Sequence, residues 1–322
     1  MRPVPLAAVL EGIPLAMAGQ SVSTGTSTWD RIKKWTPIFI IAPSILASFI
    51  YVFVFAGWTF YISLSDSTLL PSYGFRGFEN YVSLWTNRRW SVAYSNLLYF
   101  SAFYVTISMA FGLLLAILID QRIRAESFWR TIFLYPLAVS FIATGTVWQW
   151  LYNPSSGIQF LVNSLGWTDF QFALTTDRKN AIWAIIITGI WGSAGFSMAL
   201  FLAGLRSVDP DIIKAAQIDG ASWFRTYRKV ILPTIGPIFI AVAVVLLQFA
   251  IKTFDLAVAL TNSGPGISTT FPATYVYDFM FQRGEIGQGA AAAMMVLAAL
   301  AIVLVPYSLY LVWRKRREAS NG

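Results

Sequence analysis

Long apolar stretches without a charged residue alternate with short charged segments along the chain. An α-helix needs roughly 20 apolar residues to cross the hydrocarbon core of a bilayer. Six stretches meet this need, the fifth of them together with its flanks. They are residues 36–65, 91–119, 131–152, 180–205, 236–251 and 286–313. The pattern therefore predicts an all-α integral membrane protein with six transmembrane helices.

A seventh charge-free stretch, residues 256–277, differs from the other six. It contains the sequence Asn-Ser-Gly-Pro-Gly at residues 262–266, and it also contains Pro272. These residues break a helix, and a broken helix that faces lipid leaves backbone groups without partners. We expect a loop or a re-entrant segment here.

Basic residues are concentrated on one side of the predicted spans. The two terminal segments and the loops after the second and fourth spans carry sixteen Lys and Arg residues, whereas the other side carries six. Because cytoplasmic loops are enriched in Lys and Arg, we expect both termini in the cytoplasm of a bacterium or archaeon. The net charge of +8 would also suit nucleic acid. The uneven distribution of Lys and Arg between the two sides instead fits a protein of the cytoplasmic membrane, and we expect no nucleic-acid partner.

The N-terminal extension, residues 1–35, is expected to be cytoplasmic and disordered at its start. Arg2 and the apolar run after it also resemble a signal peptide, although Pro5 and Pro14 interrupt that run. A true start at Met17 is a further alternative. The other predicted parts are a transmembrane domain at 36–313, a cytoplasmic loop within it at 206–233, and a basic cytoplasmic tail at 314–322.

The residue types present exclude most enzyme chemistry. The chain has no Cys and no His, which removes thiol nucleophiles, imidazole bases and the zinc sites built on those ligands. It has no Gly-Lys dipeptide, and therefore no phosphate-binding loop of the Gly-x-x-x-x-Gly-Lys-Ser/Thr type. We expect no catalytic residue, no ATPase site, no metal and no cofactor bound by this chain.

The loop at 206–233 has a local pattern that predicts a short helix. Asp209 is a good N-cap, and Pro210 suits the first helical position. Gly220 suits the left-handed conformation that ends many helices. The predicted helix is two to three turns long and lies sideways under the membrane.

A second helix is expected directly after the first. Ser222 can cap its start, and Pro233 ends it before the fifth span. The physical pattern alone also suits an amphipathic segment on the lipid surface, with Arg225, Arg228 and Lys229 meeting anionic headgroups.

The same loop resembles the signature loop of the permease subunits of ABC importers. That signature is Glu-Ala-Ala, three residues, Gly, nine residues, Ile, one residue and Leu-Pro. Asp before the glycine and Ala after it are usual in the sugar-importing branch, the maltose and glycerol-phosphate type. The matching residues are Lys214, Ala215, Ala216, Asp219, Gly220, Ala221, Val230, Leu232 and Pro233. The resemblance implies that this loop holds a coupling helix that docks a separate ATPase.

Lys214 is the main departure from the signature, because the family has Glu at this position. In the family the Glu is a natural partner for a basic residue of the ATPase. The reversed charge means that such an ion pair is absent, re-partnered or supplied by a second permease subunit. Small side chains at Ala215, Ala216 and Gly220 still allow a close backbone approach to a groove.

Two outer segments also resemble the sugar-importing branch. Phe254 and Asp255, followed by the turn at 261–266, are similar to an aromatic-acid pair and a Thr-x-Gly-Gly-Pro turn in maltose-type permeases, with Ser263 in place of the first Gly. Residues 78–81, Phe-Glu-Asn-Tyr, are similar to the loop after the first helix of the family.

Lys252 and Asp255 are the charged residues nearest the end of the fifth predicted span. Three residues apart on one helix, they would share a face and form an ion pair. Alternatively, they recognise sugar hydroxyl groups together with Gln248, while Trp148 or Trp191 stacks on a sugar ring. Both interpretations stay open at this point.

The resemblance implies a transporter of several subunits. The expected partners are a second permease, two ATP-binding subunits, membrane lipid, and a periplasmic or lipid-anchored sugar-binding protein. ATP would be hydrolysed by the partner, and closure of the ATPase dimer would move the coupling helix and switch the cavity between the two sides. The rival function is an ATPase-independent secondary carrier or channel. Ion-coupled carriers commonly place carboxylates in mid-membrane, and the central parts of these six spans have none.

Overall fold

A computed structural model of the protein describes residues 41–69, 72, 74–121 and 123–320. The predicted extension at 1–35, its signal-peptide alternative and the alternative start at Met17 lie outside these residues. The chain divides into two compact units, Met1–Phe55 and Ala56–Gly322. In the first unit, the described residues are helical and exposed.

Helices dominate the described part of the chain, and a single β-bridge joins Ser65 to Phe75. π-Helical turns occur at Ile50–Val54, Tyr227–Ile231 and Asp278–Gln282. In chain order the helices are α1 (Ile41–Ser63), α2 (Glu79–Thr86), α3 (Arg88–Asp120), α4 (Glu126–Ala138), α5 (Phe141–Leu151), α6 (Ile158–Ser164), α7 (Ala181–Arg206), α8 (Pro210–Ile218), α9 (Trp223–Thr234), α10 (Gly236–Ile251), α11 (Asp255–Thr261), α12 (Pro272–Tyr277) and α13 (Ile286–Ser320).

Four of the described helices are long and apolar enough to cross a membrane. They are α1, α3, α7 and α13, the last over Ile286–Arg314. Two helix pairs meet the same requirement together but are bent, by 98° between α4 and α5 and by 67° between α9 and α10. The described chain therefore has four candidate spans, or up to six if each bent pair is one span.

The predicted third span, residues 131–152, is not one straight helix. It is interrupted between α4 and α5, where Val139 and Ser140 have extended backbone with ψ of 138° and 137°. Pro136 lies one turn before the break, and a proline within a helix removes one backbone hydrogen bond and weakens that turn.

The predicted fifth span coincides with α10, and the short turn before it lies at Ile235, between Pro233 and Gly236 as expected. The 16 residues of α10 extend about 24 Å, which is shorter than the hydrocarbon core. The seventh apolar stretch is broken as predicted. Asn262 and Ser263 take positive φ values of 47° and 69°, and no helix resumes before Pro272 in this described segment.

The core of the larger unit forms where α3, α7, α10 and α11 pack together. Two glycines allow close helix contact: a Cβ atom at Gly112 would overlap Ser197, and one at Gly195 would overlap the carbonyl oxygen of Phe133. Small residues of this kind let helix backbones approach closely in membranes. The largest fully buried side chains of this core include Phe100, Tyr152, Ile185, Ile186, Met198, Phe201 and Phe271.

Candidate functional site

Helix α8 begins with the N-cap and the first helical residue that the sequence predicts. Pro210 is the first helical residue, and the side chain of Asp209 accepts a hydrogen bond from the backbone N–H of Asp211 at 2.9 Å. The Asp211 carboxylate also lies in the first turn, where it complements the positive end of the helix dipole. The helix has nine residues, or two and a half turns.

The end of α8 is a complete Schellman motif around Gly220. Gly220 has a φ of +75°, its N–H donates to the Gln217 carbonyl, and the Ala221 N–H donates to the Ala216 carbonyl, each bond 3.0 Å long. These are the two bonds that define the motif. A Cβ atom at Gly220 would meet no atom within 4 Å, so the need for glycine comes from backbone conformation and not from space.

The surface of α8 is largely uncovered. No residue of this helix is buried, and Ile218 at its end is 86% exposed. Trp223 and Phe224, directly after the glycine turn, are also more than half exposed. Apolar side chains grouped on a surface mark a contact with lipid or with another protein.

Lys214 has a partner within its own helix. Its Nζ lies 2.9 Å from the Asp211 Oδ1 atom, and both side chains are more than two-thirds exposed. An ion pair as exposed as this one contributes at most about 1 kcal/mol to the stability of the helix. Within this chain the reversed charge is therefore met by Asp211.

The second loop helix, α9, attaches the loop to the core. The Ser222 side chain accepts a hydrogen bond from the Arg225 N–H at 3.4 Å, as a weak N-cap. Ile231 is buried, Leu232 packs against the core, and Pro233 stays exposed at the helix end. Of the motif residues, Leu232 thus has a structural contact, whereas the alanines, Gly220 and Pro233 do not face the core.

Tyr227 in α9 attaches the loop to the bundle through polar contacts. It is buried, its hydroxyl donates to Asp120 Oδ2 at 2.8 Å, and it accepts from the Gln121 side chain at 3.1 Å. Burial, followed by the hydrogen bond with Asp120, raises the pKa of Tyr227 to about 12. The hydroxyl therefore stays protonated and remains a donor at any physiological pH.

Lys252 and Asp255 do not form the expected ion pair. α10 ends at Ile251 and α11 begins at Asp255, so the two residues flank a break and do not share a helix face. Both are exposed, and neither takes part in an ion pair within the described residues. The helical spacing from which the pair was predicted does not exist here.

The two charges instead line one cavity of about 220 Å³. Tyr104 and Gly189 pack against each other in its wall, and a Cβ atom at that glycine would lie 3.3 Å from the Tyr104 ring. The cavity has aromatic walls and a charged edge. The lining residues are Phe100, Tyr104, Phe141, Gly189, Phe249, Lys252, Thr253, Phe254, Asp255 and Leu256.

The other three residues predicted for the substrate pathway lie outside this lining. Trp148 packs edge-on against Trp191, with ring centroids 5.8 Å apart, and also against Tyr152 at 5.4 Å. Gln248 is half-buried, and its carbonyl accepts from the Lys252 N–H at 3.2 Å. The aromatic walls of the cavity were not predicted from the sequence. The spacing of Phe100 and Tyr104, four residues apart on α3, could have indicated one of these walls.

Residues 78–81 tie the outer loop to the end of α1. The Asn80 side chain donates to the carbonyls of Ser63 and Ser65 at 2.9 and 2.8 Å, and Tyr81 hydrogen bonds to the Ser63 hydroxyl at 2.7 Å. This segment is therefore structural. In the described part of the chain, no group of three or more Asp, Glu, His or Cys side chains could hold a metal ion.

Comparisons with known proteins agree with the loop motif. The sequence profile of the family described as "Binding-protein-dependent transport system inner membrane component" matches residues 108–318. A probable ABC transporter permease of Pyrococcus horikoshii is 37% identical over 87% of this chain and 96% of its own length. A xylose/arabinose import permease of Haloferax volcanii is 35% identical, over 83% and 85%. A trehalose/maltose transport permease of Thermococcus litoralis is 28% identical, over 83% and 90%.

A solved structure supports the fold in the same way. A chain from a bacterial ABC transporter that imports the acidic polysaccharide alginate superposes with a TM-score of 0.73, at 22% identity, over 87% of this chain and 97% of its own. At that identity the likeness concerns the fold alone.

Proposed function

Because the chain belongs to the family of binding-protein-dependent transport system inner membrane components, we propose that it is the permease subunit of an ATP-driven sugar importer. The observation that carries the proposal is the loop at 206–233, whose motif residues form a capped, uncovered helix. The import of xylose, arabinose, trehalose and maltose by named relatives supports a sugar as the cargo.

The proposed docking surface is the exposed side of α8 with the turn that follows it. Ala215 and Gly220 leave the backbone accessible, and Ile218 projects an apolar side chain. A groove on an ATP-binding subunit would cover these residues. The lipid surface is the weaker candidate for covering this helix. Lys214 and Asp211 neutralise each other, so the pair offers no net charge to anionic headgroups. The docking residues remain Lys214, Ala215, Ala216, Asp219, Gly220, Ala221, Leu232 and Pro233.

The proposed topology is six spans with both termini in the cytoplasm. The excess of Lys and Arg in the terminal segments and in the loops after the second and fourth spans supports it. The bent pair of α4 and α5 then contributes the third span, and α10, which is bent away from the loop helix α9, contributes the fifth. The membrane is the cytoplasmic membrane of a bacterium or archaeon.

The proposed partners are a second permease, two ATP-binding subunits and a periplasmic or lipid-anchored sugar-binding protein. The residues of α1 from 41 to 55 are all exposed and mostly apolar, which leaves a face for lipid or for the second permease. This chain would bind no cofactor, and ATP would be hydrolysed by the partner. It lacks a phosphate-binding loop of its own.

The aromatic cavity beside Lys252 and Asp255 is the proposed substrate contact. Sugar rings present apolar faces that suit Phe and Tyr, and their hydroxyl groups hydrogen bond to charged side chains. Thr253, between the two charges, adds a third polar group to the lining. The cavity thus offers stacking and hydrogen bonding in one place.

Purification of the tagged chain from native membranes in mild detergent tests the transporter assignment. We expect an ATP-binding subunit and a second permease to co-purify, and we expect the reconstituted complex to take up sugar only with ATP. Sugar uptake by the chain alone, driven by an ion gradient, would instead establish a secondary carrier.

Asp255→Asn tests the cavity separately. The loss of a charged hydrogen-bond acceptor should lower the rate of sugar uptake about tenfold. ATP hydrolysis and co-purification should stay unchanged, because none of the residues that line the cavity belongs to the loop at 206–233. Asp169→Asn, an exposed carboxylate in the segment before α7, is the matched control. Equal uptake by both variants would remove the cavity from the substrate pathway.

A further inference from the structure

Asp120 is an acidic residue at the unfavourable end of a helix. It is the last residue of α3, where the negative end of the helix dipole disfavours a carboxylate. Two groups compensate for this position: the Tyr227 hydroxyl at 2.8 Å and the Arg206 Nε at 3.7 Å. The stability of α3 alone does not explain an aspartate here, and residues that break a local rule are often functional.

Arg206 lies between two carboxylates that belong to different helices. It is the last residue of α7, its Nη2 is 2.9 Å from Glu126 Oε1, and its Nε is 3.7 Å from Asp120 Oδ1. Glu126 is the first residue of α4. The hydrogen bond from Arg206 lowers the pKa of Glu126, so this carboxylate stays charged. The guanidinium is thus held closely by α4 and loosely by α3.

The loop reaches this group mainly through α9. No residue of α8 is buried, and its half-buried Ile213 packs against the core, whereas Tyr227 and Ile231 of α9 and Ile235, the residue after it, are buried there. The Tyr227 ring also packs on Trp223 at the start of α9, with ring centroids 4.6 Å apart. A displacement of α8 therefore acts on the bundle largely through α9, and the Tyr227 hydroxyl is carried with it.

We propose that Tyr227, Asp120, Arg206 and Glu126 form a relay that passes movement of the docking helix to α3, α7 and α4. This inference rests on the proposed function. When the loop moves, the Tyr227 hydroxyl leaves Asp120, and the freed carboxylate attracts Arg206 away from Glu126. The end of α7 then shifts from α4 towards α3. Tyr227 is a positioning residue and contacts no sugar.

A purely structural role for the same bonds makes a different prediction. If they only hold the fold together, their loss lowers the yield of folded complex, ATP hydrolysis and sugar uptake in proportion. A relay instead links two activities that otherwise proceed separately. Its loss lowers the amount of sugar imported per ATP hydrolysed.

Tyr227→Phe tests the relay, because it removes the hydroxyl and keeps the ring. In reconstituted complexes with the sugar-binding protein, we expect ATP hydrolysis within about twofold of wild type and sugar uptake at least fivefold lower. Arg206→Gln should have the same effect. Arg206→Lys retains the charge and should restore at least half of the uptake per ATP.

Two matched variants serve as controls. Tyr135→Phe changes an exposed tyrosine of α4, and Arg124→Gln removes an exposed charge from the turn before α4. Both should import sugar per ATP as wild type does. The relay is refuted if Tyr227→Phe lowers hydrolysis and uptake in equal proportion, or lowers neither. The proposed function fails differently, because the wild-type complex would then import no sugar with ATP.

Discussion

Gly220→Ala is expected to weaken docking of the ATP-binding subunit without destabilising the bundle. At a φ of +75°, an L-residue costs about 1–2 kcal/mol relative to glycine. No steric cost is added, because a Cβ atom there meets nothing within 4 Å. The cost falls on the cap of α8, which buries none of its residues, so thermal unfolding of the whole chain should hardly change.

The size of the docking defect follows from the same free energy. A cost of about 1–2 kcal/mol reduces the population of the capped helix by a factor of roughly 5–30. If the ATP-binding subunit binds only the capped form, its dissociation constant rises by at most that factor. Titration of labelled ATP-binding subunit onto the permease in lipid nanodiscs measures the constant directly.

Two further substitutions show whether backbone conformation is the cause. Asparagine tolerates the left-handed region, so Gly220→Asn should lose clearly less affinity than Gly220→Ala. Gly166 has a φ of +104° and equally open surroundings, but it lies in the segment between α6 and α7. Gly166→Ala should leave docking unchanged. Wild-type affinity in Gly220→Ala, or the same loss in Gly220→Asn, would refute the reasoning.

Two other substitutions probe the loop charge and the helix packing. Lys214→Gln removes an exposed pair worth at most about 1 kcal/mol, so docking affinity measured at low and high salt should change by less than about fivefold; a larger loss would mean that Lys214 contacts the partner directly. Gly195→Ala forces a methyl group onto the Phe133 carbonyl and should destabilise the chain by about 1–3 kcal/mol in thermal unfolding, unlike Gly57→Ala, whose site has no neighbour within 4 Å. An unchanged melting temperature for Gly195→Ala would contradict the close contact of α4 with α7.

Helix α8, the proposed docking helix, could be predicted from the sequence because local interactions determine where it begins and ends. Asp209, Pro210 and Gly220 each act within one helical turn, and the structure has the cap, the first turn and the left-handed end in the expected places. The family motif then added a role that local physics could not supply. The lipid-surface alternative had the same local pattern.

The cavity could not be predicted because it depends on contacts between distant segments. Phe100, Gly189 and Phe249 come together only through packing of α3, α7 and α10. The helix break after Ile251 also has no Pro or Gly to signal it. With that break unseen, Lys252 and Asp255 were placed on one helix face, and the ion pair that this placement allowed does not form.

The exposure of α8 also matters for a newly made chain that has not yet joined its partner subunits. A helix that buries none of its residues, and packs on the core through the half-buried Ile213, gains further stability from whatever binds it, and that stability depends on the concentration of the partner. Until then, Ile218, Trp223 and Phe224 are presented to chaperones and proteases, which act on exposed apolar segments of low local stability. With an ATP-binding subunit as the proposed partner, the lifetime of an orphan copy would depend on how soon that subunit covers this loop.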